Sequence, residues 1–545
     1  MPQGSTSTYP VEREAFRWNV PEYFNFATDV LDRWAEDGAR RGLLWVDERG
    51  ARQDLTFRVI AERSTRVADG LWRLGIRRGD RVLVILPPEP AWWETLMALF
   101  RLGAVAVPGT SQLTGRDIRY RAQLAEASAV IVDEATAAKA DEGLHGQDVV
   151  RVVVGRRDGW HAYDEVIAAG SADSAPERTR SDDPALLYFT SGTTGYPKMV
   201  LHTHASYPIG HLVTGKFWLD LREDDLHWNL SDTGWAKAAW SCLFGPWNMG
   251  AAVFMYRQYG KPNADNILAQ FAEHSVTSFC GPPTIFRMLV QADLGRYRYD
   301  ALRSCVAAGE PLNPEVIETW QRATGLTIRD GYGQTETVAI VCNFPGEEVR
   351  HGSMGKPSPG FTVDVIGDDG GPLPANREGD IAVRVKPDRP VGLFKEYWRD
   401  PDATASRFVG DWYITGDRAY RDEDGYLWFV GRSDDVIISA AYRIGPFEVE
   451  SALVEHPAVI EAAVVGKPDP ERGEIVKAYV TLASGVAPSD DLARELQEHV
   501  KRVTAPYKYP REIEFTDDLP KTISGKIRRV ELRERELRRA GGPGA

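Results

Sequence analysis

The sequence predicts a large α/β protein of wound parallel sheets, with a small β-rich lobe and a small, mobile α+β domain at its C-terminal end. Three observations support this fold class. Apolar strand patterns alternate with helical patterns in the first half of the chain, which is typical of parallel α/β layers. Between about residues 356 and 430, short apolar runs are separated by Gly, Pro and Asp clusters. Beyond residue 433 a new α/β pattern begins, in a chain of 545 residues that is too long for one compact core.

The first half carries the clearest strand and helix signals. Residues 81–86 form an apolar run that Pro87 and Pro88 end, and residues 91–102 follow as a helical pattern that Gly103 closes. Further strands are predicted at 104–108, 129–132 and 149–154. The order of the strands in the sheet cannot be read from this pattern.

The second half is predicted to contain both small units. A strand at 381–385 belongs to the β-rich lobe, and the C-terminal domain has strands at 462–465 and 476–480 and an amphipathic helix that carries Leu492, Leu496 and Val500. We place the domain boundary at Asp434, so that residues 1–433 form the large domain and 434–545 the small one. The Arg/Glu-rich tail at 528–539 is predicted to be a solvated helix rather than a nucleic-acid arm.

The composition excludes several classes of function. Hydrophobic residues make up 43% of the chain and charged residues 26%, and the net charge of −14 argues against nonspecific binding to nucleic acid or to an anionic membrane. The four cysteines are too dispersed for a disulfide framework or a zinc cluster, and we expect four buried thiols. No apolar stretch approaches the roughly 18–20 residues that span a bilayer. The first residues lack a secretory or transit pattern, so we expect a cytoplasmic location.

The most informative segment is an apolar strand at 186–189 that runs into a loop rich in hydroxyl groups and glycine. Two glycines let the backbone N–H groups turn inward, four hydroxyl groups add donors, and a final lysine adds positive charge, which together suit a phosphate. The pattern differs from a Walker A loop. The loop residues are Thr190, Ser191, Gly192, Thr193, Thr194, Gly195, Tyr196, Pro197 and Lys198.

Further motifs follow along the chain in a fixed order. They are Gly-Glu-Pro at 309–311, Asp-Gly-Tyr-Gly-Gln-Thr-Glu at 330–336, Tyr-Ile-Thr-Gly-Asp at 413–417, Gly-Arg-Ser-Asp-Asp at 431–435, Tyr-Arg-Ile-Gly at 442–445 and Leu-Pro-Lys-Thr-Ile-Ser-Gly-Lys at 519–526. With these motifs the chain resembles, from about residue 26 to 529, the adenylate-forming superfamily of acyl-CoA synthetases, peptide synthetase adenylation domains and luciferases. The segments 231–237 and 504–510 are most similar to medium-chain acyl-CoA synthetases.

The resemblance implies that the chain binds ATP and Mg²⁺. The 190–198 loop would hold the β- and γ-phosphates, Tyr332 would stack on adenine, Thr335 would touch the α-phosphate and Glu336 would hold Mg²⁺ through a carboxylate oxygen. Asp417 would accept hydrogen bonds from the ribose hydroxyls. The other residues that the family pattern assigns to the nucleotide are Gly309, Glu310, Pro311, Asp330, Gly331, Gly333, Gln334, Arg432 and Arg443.

Lys526 is the candidate catalytic residue, together with Thr335 and Glu336. Its ammonium group, placed between the substrate carboxylate and the α-phosphate, would align the attack and stabilise the charge that builds on phosphorus. A carboxylic acid is already ionised at pH 7, so this step needs no general base.

A second half-reaction would transfer the acyl group to coenzyme A after the C-terminal domain rotates, with Asp434 as the hinge. The family likeness assigns six residues to CoA: Gln112, Ala440, Ala441, Tyr442, Arg472 and Arg502. Relatives usually carry glycine at the position of Ala441. A methyl group there could narrow the path of the thiol or restrict the backbone, so the sequence supports adenylation more firmly than thioester formation.

The acid pocket is expected to be largely apolar. Acetate-specific relatives block it with tryptophan at the position that matches Gly333, so the acid here should be larger than acetate, and a Gly333→Trp variant should shift preference toward acetate or propionate. The lining residues implied by the resemblance are Trp235, Phe279, Cys280, Ala308, Gly333 and Val338. They favour a medium-chain, branched or aryl carboxylic acid over an amino acid.

Three other functions remain as alternatives. The chain could load a carrier-protein thiol, although it contains no carrier domain, or it could be a luciferase-like oxidase, which nothing in the sequence favours. It could also be a catalytically silent nucleotide or acyl sensor. The presence of Lys526, Glu336 and Asp417 argues against a sensor. The sequence does not identify the acid or decide between a monomer and a homo-oligomer.

Overall fold

The computed structural model of the chain describes residues 9–190, 197–440, 442–522 and 526–539. The helices, numbered along the chain, are α1 (Tyr9–Ala15), α2 (Asp32–Ala35), α3 (Phe57–Arg73), α4 (Pro90–Arg101), α5 (Gly115–Ala125), α6 (Glu134–Gly143), α7 (Tyr163–Ala169), α8 (His211–Val213), α9 (Ala236–Ala239), α10 (Gly245–Asn248), α11 (Ala264–Glu273), α12 (Pro283–Leu289), α13 (Pro314–Thr324), α14 (Pro401–Ala405), α15 (Pro446–Val454), α16 (Asp490–Val503) and α17 (Arg529–Arg539).

The strands, numbered in the same way, are β1 (Arg41–Asp47), β2 (Arg52–Thr56), β3 (Arg81–Ile85), β4 (Val105–Pro108), β5 (Ala127–Asp133), β6 (Val150–Val154), β7 (His161–Ala162), β8 (Pro184–Thr190), β9 (Lys198–Thr203), β10 (Leu226–Asn229), β11 (Ala252–Arg257), β12 (Ser278–Gly281), β13 (Ser304–Ala308), β14 (Ile328–Gly333), β15 (Ala339–Cys342), β16 (Lys356–Pro357), β17 (Val363–Ile366), β18 (Gly379–Arg384), β19 (Glu396–Tyr397), β20 (Phe408–Val409), β21 (Trp412–Arg421), β22 (Leu427–Arg432), β23 (Ile437–Ser439), β24 (Tyr442–Ile444), β25 (Val459–Asp469), β26 (Gly473–Leu482) and β27 (Glu512–Phe515).

Two large sheets organise the first two thirds of the chain. One has the strand order β16-β15-β14-β13-β12-β10-β11-β1-β2, with parallel pairing from β14 through β1. The other has the order β19-β9-β8-β4-β3-β5-β6-β7, with parallel pairing from β8 through β7. Several neighbours in these orders, such as β1 and β11 or β4 and β8, are distant in sequence, and parallel neighbours need crossover connections rather than hairpins. Order of this kind depends on long-range packing, which explains why the local pattern did not reveal it.

The hydrophobic core consists of three layers around these sheets. In β3, Val82 and Val84 belong to the largest cluster, whereas Leu83 belongs to a separate cluster with α5 and α6. In β1, Leu43 joins the same large cluster, whereas Leu44 joins a third cluster with α11 to α13. Side chains therefore alternate between a shared central layer and two outer helical layers. Helix α4, which is buried at every position, lies in the central layer.

Two smaller sheets complete the fold. The β-rich lobe contains β17-β18-β21-β20, with β22 paired to β21, and the C-terminal part contains β24-β23-β26-β25, with β27 paired to β26. The C-terminal sheet has its own core, formed with α15 and α16. The predicted fold class, with its wound sheets, β-rich lobe and α+β C-terminal part, is confirmed.

The predicted elements are present, and one of them differs in its environment. The tail at 528–539 forms α17, as predicted, but Leu532 and Glu536 are fully buried against the C-terminal sheet rather than solvated. The Glu536 carboxylate contacts Lys477 and Tyr479, and this explains how a highly charged helix is anchored. All four cysteines are buried and free, as expected. In the described ranges no helix is long and apolar enough to cross a membrane.

Candidate active site

A cleft of about 590 Å³ opens where the carboxyl ends of β8, β13 and β14 meet the β-rich lobe and the C-terminal part. The carboxyl ends of parallel strands are the usual place for a ligand in a wound sheet. The cleft collects residues from segments that are distant in sequence. Of the residues predicted to bind ATP, those that line it are Thr190, Pro197, Lys198, Gly309, Glu310, Pro311, Asp330, Gly331, Tyr332, Gly333, Gln334, Thr335, Glu336, Asp417, Arg432 and Lys526.

The end of β14 and the middle of β21 are joined by hydrogen bonds to Asp417. The Tyr332 hydroxyl and the Gln334 side-chain amide each donate to Asp417 Oδ2, at 2.6 Å in both cases. The amide of Gln334 also donates to the carbonyl of Thr415 at 3.0 Å. Burial raises the pKa of Asp417, while the two donors oppose that shift. The arrangement holds the carboxylate through Oδ2.

Glu336 lies in the turn between β14 and β15, where two hydrogen bonds fix it. Its Oε1 accepts a hydrogen bond from the Tyr397 hydroxyl at 2.7 Å, and its backbone carbonyl accepts from the N–H of Phe394 at 2.7 Å. The Lys198 ammonium lies 4.9 Å from the centre of the Tyr397 ring. A carboxylate and a cation are thus held on the same tyrosine at this end of the cleft.

The predicted phosphate loop connects the antiparallel strands β8 and β9. Thr190 and Lys198 are the last paired residues of this hairpin, so they frame the loop between them. Pro197 lines the cleft as well, and its carbonyl is 3.4 Å from the Tyr120 hydroxyl. The other loop residues that the sequence singled out lie outside the described residues, namely Ser191, Gly192, Thr193, Thr194, Gly195 and Tyr196.

Lys526 enters the cleft from the C-terminal part of the chain. Its backbone N–H donates to Thr522 Oγ1 at 3.0 Å, and its carbonyl accepts from the N–H of Thr522 at 2.7 Å. Beyond it, the Arg529 guanidinium binds both carboxylate oxygens of Glu450, at 2.9 and 2.6 Å. The positive charge of Lys526 also counteracts the raised pKa of Asp417. Lys526 is therefore held by Thr522 and lies close to an anchored Arg529, and it lines the cleft.

Arg432 and the predicted hinge are linked directly. Arg432 lies opposite Asp417 in the pairing of β22 with β21, but its Nε donates to Asp434 Oδ1 at 3.2 Å. Asp435, the next residue, contacts the guanidinium groups of Arg529 and Arg533. The residues around position 434 therefore touch both the nucleotide side of the cleft and α17.

Arg443 and the residues predicted to bind CoA do not line this cleft. Arg443 and Tyr442 are exposed on β24, and the Tyr442 ring stacks on Tyr507 with centroids 4.3 Å apart. Ala440 has a positive φ of 55° and donates its N–H to the carbonyl of Arg472 at 2.8 Å, so these two residues are neighbours. Ala441 lies outside the described residues. The remaining members, Gln112 and Arg502, are exposed on separate elements.

The predicted acyl residues divide between the two faces of the nine-stranded sheet. Cys280, Ala308 and Val338 belong to the central core layer. Trp235 is part-buried, and residues that follow it directly in the chain belong to this layer. Phe279 instead packs in the outer layer, where its ring centroid is 5.3 Å from that of Trp228 and 5.4 Å from that of Phe286. The one-residue alternation of β12 explains this, because adjacent side chains of a strand point to opposite faces.

The structure does not support the open space expected beside Gly333. A Cβ atom built on Gly333 would lie 2.3 Å from the carbonyl oxygen of Val338 and 3.1 Å from Ala339 Cα. These are backbone atoms of the paired strand β15, so they cannot move aside as a flexible side chain would. The idea that a tryptophan could simply fill this position is therefore corrected. Gly333 is required by the close approach of two strands.

Sequence reasoning did not select three polar side chains in this region. Lys237 donates to the carbonyl of Ala308 at 3.1 Å, and burial lowers its pKa. Arg407 lines the cleft beside Glu336, and His202 contacts the carbonyl of Thr335 at 2.7 Å. Lys237 could have been selected from the sequence, because it is a lone lysine in the apolar segment 236–240. The other two lie outside any motif, and only the fold brings them to the site.

Burial also affects the base of the cleft. It raises the pKa of Asp330 to about 7, although the N–H groups of Leu312 and Gly331 donate to its carboxylate at 3.3 and 2.9 Å. At neutral pH this carboxyl group is therefore present in both protonation states. Among the described residues no group of three or more His, Cys, Asp or Glu side chains is arranged to hold a metal ion.

Comparison with known proteins gives consistent results over the whole chain. A mitochondrial acyl-coenzyme A synthetase of Mus musculus, ACSM3, is 48% identical, and the match covers 97% of this chain and 93% of that protein. The solved structure of the anthranilate CoA ligase AuaEII in complex with anthranoyl-AMP matches with a TM-score of 0.88 and 31% identity, over 96% of this chain and 99% of that one. A benzoate CoA ligase from Burkholderia xenovorans matches with a TM-score of 0.84 and 30% identity, over 94% and 100%.

The comparisons contradict the cytoplasmic location expected from the sequence. The relatives that match at 47–49% identity are mitochondrial proteins by name. The expectation depended on the composition of the first residues, a weak signal that does not identify a compartment. The family model described as AMP-binding enzyme matches residues 31–398, and the model of the AMP-binding enzyme C-terminal domain matches residues 448–526. With this match and 48% identity to an acyl-CoA synthetase over nearly its full length, the chain belongs to the AMP-binding enzyme family, among the acyl-CoA synthetases.

Proposed function

We propose that this chain ligates a medium-chain, branched or aryl carboxylic acid to coenzyme A, through an acyl-adenylate and with release of AMP and pyrophosphate. The observation that carries the proposal is the cleft in which Tyr332, Glu336, Asp417 and Lys526 come together from three distant segments. Each of these side chains suits a different part of an ATP molecule and its reacting acid. Their convergence is what a nucleotide-dependent acyl transfer needs.

The first half-reaction follows from this geometry. With Tyr332 on adenine and Asp417 at the ribose, the hydrogen bonds from Tyr332 and Gln334 hold Asp417 in a fixed orientation. Thr335, two residues beyond Gly333, would then reach the α-phosphate. Lys526 neutralises the charge on the carboxylate oxygens and on the α-phosphate, so that the acid attacks phosphorus and pyrophosphate leaves. The side chains position and stabilise, and no proton transfer is needed.

The surroundings of Glu336 fit a bound Mg²⁺. Tyr397 occupies Oε1, and within the described part of the chain no hydrogen bond is made to the other carboxylate oxygen. Mg²⁺ commonly uses one or two carboxylates and completes its octahedral shell with phosphate oxygens and water, so a single carboxylate is sufficient. When bound, the ion would reduce the negative charge of the phosphates.

Transfer of the acyl group to CoA, the second half-reaction, would use a mobile C-terminal domain with its boundary at Asp434. A separate sheet and core beyond residue 436 support independent folding, and a separate family match at 448–526 agrees with it. Tyr442 and Arg472 lie away from the cleft in this arrangement, so thioester formation would need the domain to turn. The ion pair between Arg432 and Asp434 would have to loosen during that turn. The small polar side chain at the hinge is compatible with such a change.

The residues that the family likeness assigns to the acid support its chemical class. Cys280, Ala308 and Val338 provide small or apolar surfaces in the central layer, and this favours an apolar acyl group. The named activities of the structural relatives, on anthranilate and benzoate, support an aryl acid as one member of the class.

The test is release of pyrophosphate and AMP from ATP-Mg²⁺ with acids from acetate to decanoate and with benzoates, each with and without CoA. The proposal predicts repeated turnovers only when CoA is present, together with an acyl-CoA product. A single burst that CoA does not change would support a carrier-protein thiol as the acceptor. Absence of any acid-dependent pyrophosphate release across the panel would contradict the proposal.

A further inference from the structure

Arg407 is a half-buried arginine that lines the active-site cleft and belongs to none of the recognised motifs. It follows α14 and immediately precedes β20, and its carbonyl accepts a hydrogen bond from the N–H of Ile414 at 2.8 Å. This bond fixes the backbone against β21, the strand that also carries Asp417. The side chain lines the cleft together with Asp417 and Glu336. A cation is thus present in the part of the cleft where the phosphates of ATP would lie.

The fold makes room for this guanidinium group. Gly416 has a positive φ of 80°, and a Cβ atom at that position would lie 2.6 Å from Arg407 Nη1. Glycine suits the positive φ at this position and leaves room for the guanidinium group, next to the predicted ribose-binding Asp417. The space at Gly416 and the arginine that fills it form a matched pair.

The bonds of Arg407 leave most of its donors available. Nη1 donates to the carbonyl of Thr415 at a long 3.4 Å, and the side chain also interacts with the Tyr397 hydroxyl. In the described ranges Arg407 makes no salt bridge with a carboxylate. A guanidinium group has five N–H donors in a rigid fork, which is suited to binding two oxygens of one phosphate.

The neighbouring Arg389 differs from Arg407 in its position relative to the cleft. Its guanidinium binds the Phe394 carbonyl and lies 4.9 Å from the centre of the Phe408 ring, and it does not line the cleft. Its interactions are with the protein itself. Arg407 makes equally few hydrogen bonds to the protein, but it lies on the cleft side of the same lobe.

A second cation lies close to Arg407. Tyr397 has the Lys198 ammonium 4.9 Å from its ring centre, and its hydroxyl contacts Glu336 and Arg407. Two cations therefore surround one carboxylate, with a net positive charge at this end of the cleft. Such a cluster attracts a polyanion that can also bring a divalent cation to the carboxylate.

We propose that Arg407 is a polyphosphate-binding residue, which contacts the β- and γ-phosphates of ATP and then the departing pyrophosphate. The assignment rests on the proposed ATP-dependent function of the cleft. It adds to the predicted loop a phosphate ligand from the β-rich lobe. Because the contact is made beyond the α-phosphate, Arg407 distinguishes ATP and pyrophosphate from AMP.

The experiment is isothermal titration of the full-length chain with pyrophosphate, tripolyphosphate, ATP and AMP, each in the presence of Mg²⁺. Arg407→Gln should weaken pyrophosphate, tripolyphosphate and ATP at least ~10-fold, because a hydrogen bond to a charged group contributes about 1.5–3 kcal/mol, and should leave AMP within about 2-fold. Arg407→Lys, which keeps the charge and loses the fork, should be intermediate. Arg384→Gln is the control, since Arg384 is exposed on β18 and outside the cleft.

Two results would overturn the assignment. Unchanged affinity of Arg407→Gln for pyrophosphate, or an equal loss for ATP and AMP, would show that the residue has only a structural role. If Arg407→Gln does not fold, the same selectivity must appear in Arg407→Lys. The binding data are also independent of turnover. The original protein could release no pyrophosphate with any acid, while Arg407→Gln still lost affinity for pyrophosphate selectively. That outcome would support the role of Arg407 in binding and refute the proposed reaction.

Discussion

The imidazole Nε2 of His202 lies 2.7 Å from the carbonyl oxygen of Thr335. Burial lowers the pKa of His202 to about 3, so the ring is neutral at physiological pH. A carbonyl oxygen can only accept, which means that Nε2 carries the proton and that Nδ1 accepts from the hydroxyl of Ser206, 3.0 Å away. Strand β9, which follows the phosphate loop, is thereby tied to the turn that carries Thr335 and Glu336.

This relationship predicts a difference between two substitutions of His202. In Gln the amide N–H can take the place of Nε2–H, so His202→Gln should keep most of the rate of adenylation. In Asn the amide reaches only as far as Nδ1, so His202→Asn should lower kcat about 10-fold or more while KM for ATP changes less, since a mispositioned Thr335 affects the reacting geometry first. Steady-state pyrophosphate release measures both constants. Equal losses in the two variants, in proportion to their melting temperatures, would reduce His202 to a structural role.

A second prediction concerns Gly333. Because a Cβ atom would meet the Val338 carbonyl at 2.3 Å, Gly333→Ala should force β14 and β15 apart and destabilise the protein by about 1–3 kcal/mol. The rate of adenylation should also fall, since the turn with Thr335 begins directly after this residue. Thermal melting measures the stability, and pyrophosphate release measures the rate of adenylation. A competition assay between acetate and octanoate measures the preference for the acid. A variant with unchanged stability and a clear shift toward acetate would show that the position is open after all.

The buried histidines predict how stability depends on pH. Burial lowers the pKa of His227 from 6.5 to about 3, and His202, His204 and His211 are lowered in the same way. Below pH 6.5 the unfolded chain binds protons that the folded chain does not, so stability is lost as the pH falls through 6.5 toward 3.

One histidine should account for a definite share of this effect. His227 bonds Ser278 and Ser241, each at 3.0 Å, and contributes about 1.4 kcal/mol of the loss between pH 7.5 and 5.5. The destabilisation caused by His227→Gln should therefore be about 1.4 kcal/mol smaller at pH 5.5 than at pH 7.5. Urea unfolding at the two pH values measures it. A pH-independent difference would mean that the pKa of His227 is not lowered in the folded state.

The anchor of the last helix predicts a large effect from a single lysine. Lys477 is 1% exposed and its ammonium contacts the carboxylates of Glu512, Glu514 and Glu536 at 2.8, 2.7 and 3.0 Å. Lys477→Met would leave three carboxylates without their shared cation, and we expect a loss of about 3–5 kcal/mol.

The matched control is a lysine in an exposed pair. Lys501→Met removes an ion pair with Glu498 on the surface of α16 and should cost at most about 1 kcal/mol. Urea unfolding followed through the C-terminal part compares the two variants. Similar losses in both would contradict a special role for the buried cluster.

Much of the site was predictable because its motifs are local. The segments around Thr190, Tyr332, Asp417 and Lys526 combine particular residue types within a few positions, and the structure gathers all four in one cleft. Strands and helices such as β3 and α4 were predictable for the same reason, since apolar runs and Gly or Pro breaks are local signals.

The remaining features depend on tertiary packing. Whether Phe279 or Cys280 faces the central layer is decided by the register of β12, and the path of a side chain at Gly333 is decided by the position of β15. Arg407 and His202 reach the site only through the β-rich lobe and strand β9. The burial of Glu536 on α17 requires Lys477 and Tyr479, which lie on β26, much earlier in the chain. No local pattern contains these relationships.

The most direct test of the central claim is pyrophosphate release by Lys526→Ala, with ATP-Mg²⁺ and the preferred acid, compared with Lys521→Ala. Lys521 lies on the same segment and pairs with Glu461 at 2.7 Å, but unlike Glu461 and Lys526 it does not line the cleft. The account predicts that Lys526→Ala loses at least ~100-fold in the rate of adenylation while still binding ATP, and that Lys521→Ala stays near the original rate. Near-normal pyrophosphate release by Lys526→Ala would contradict it.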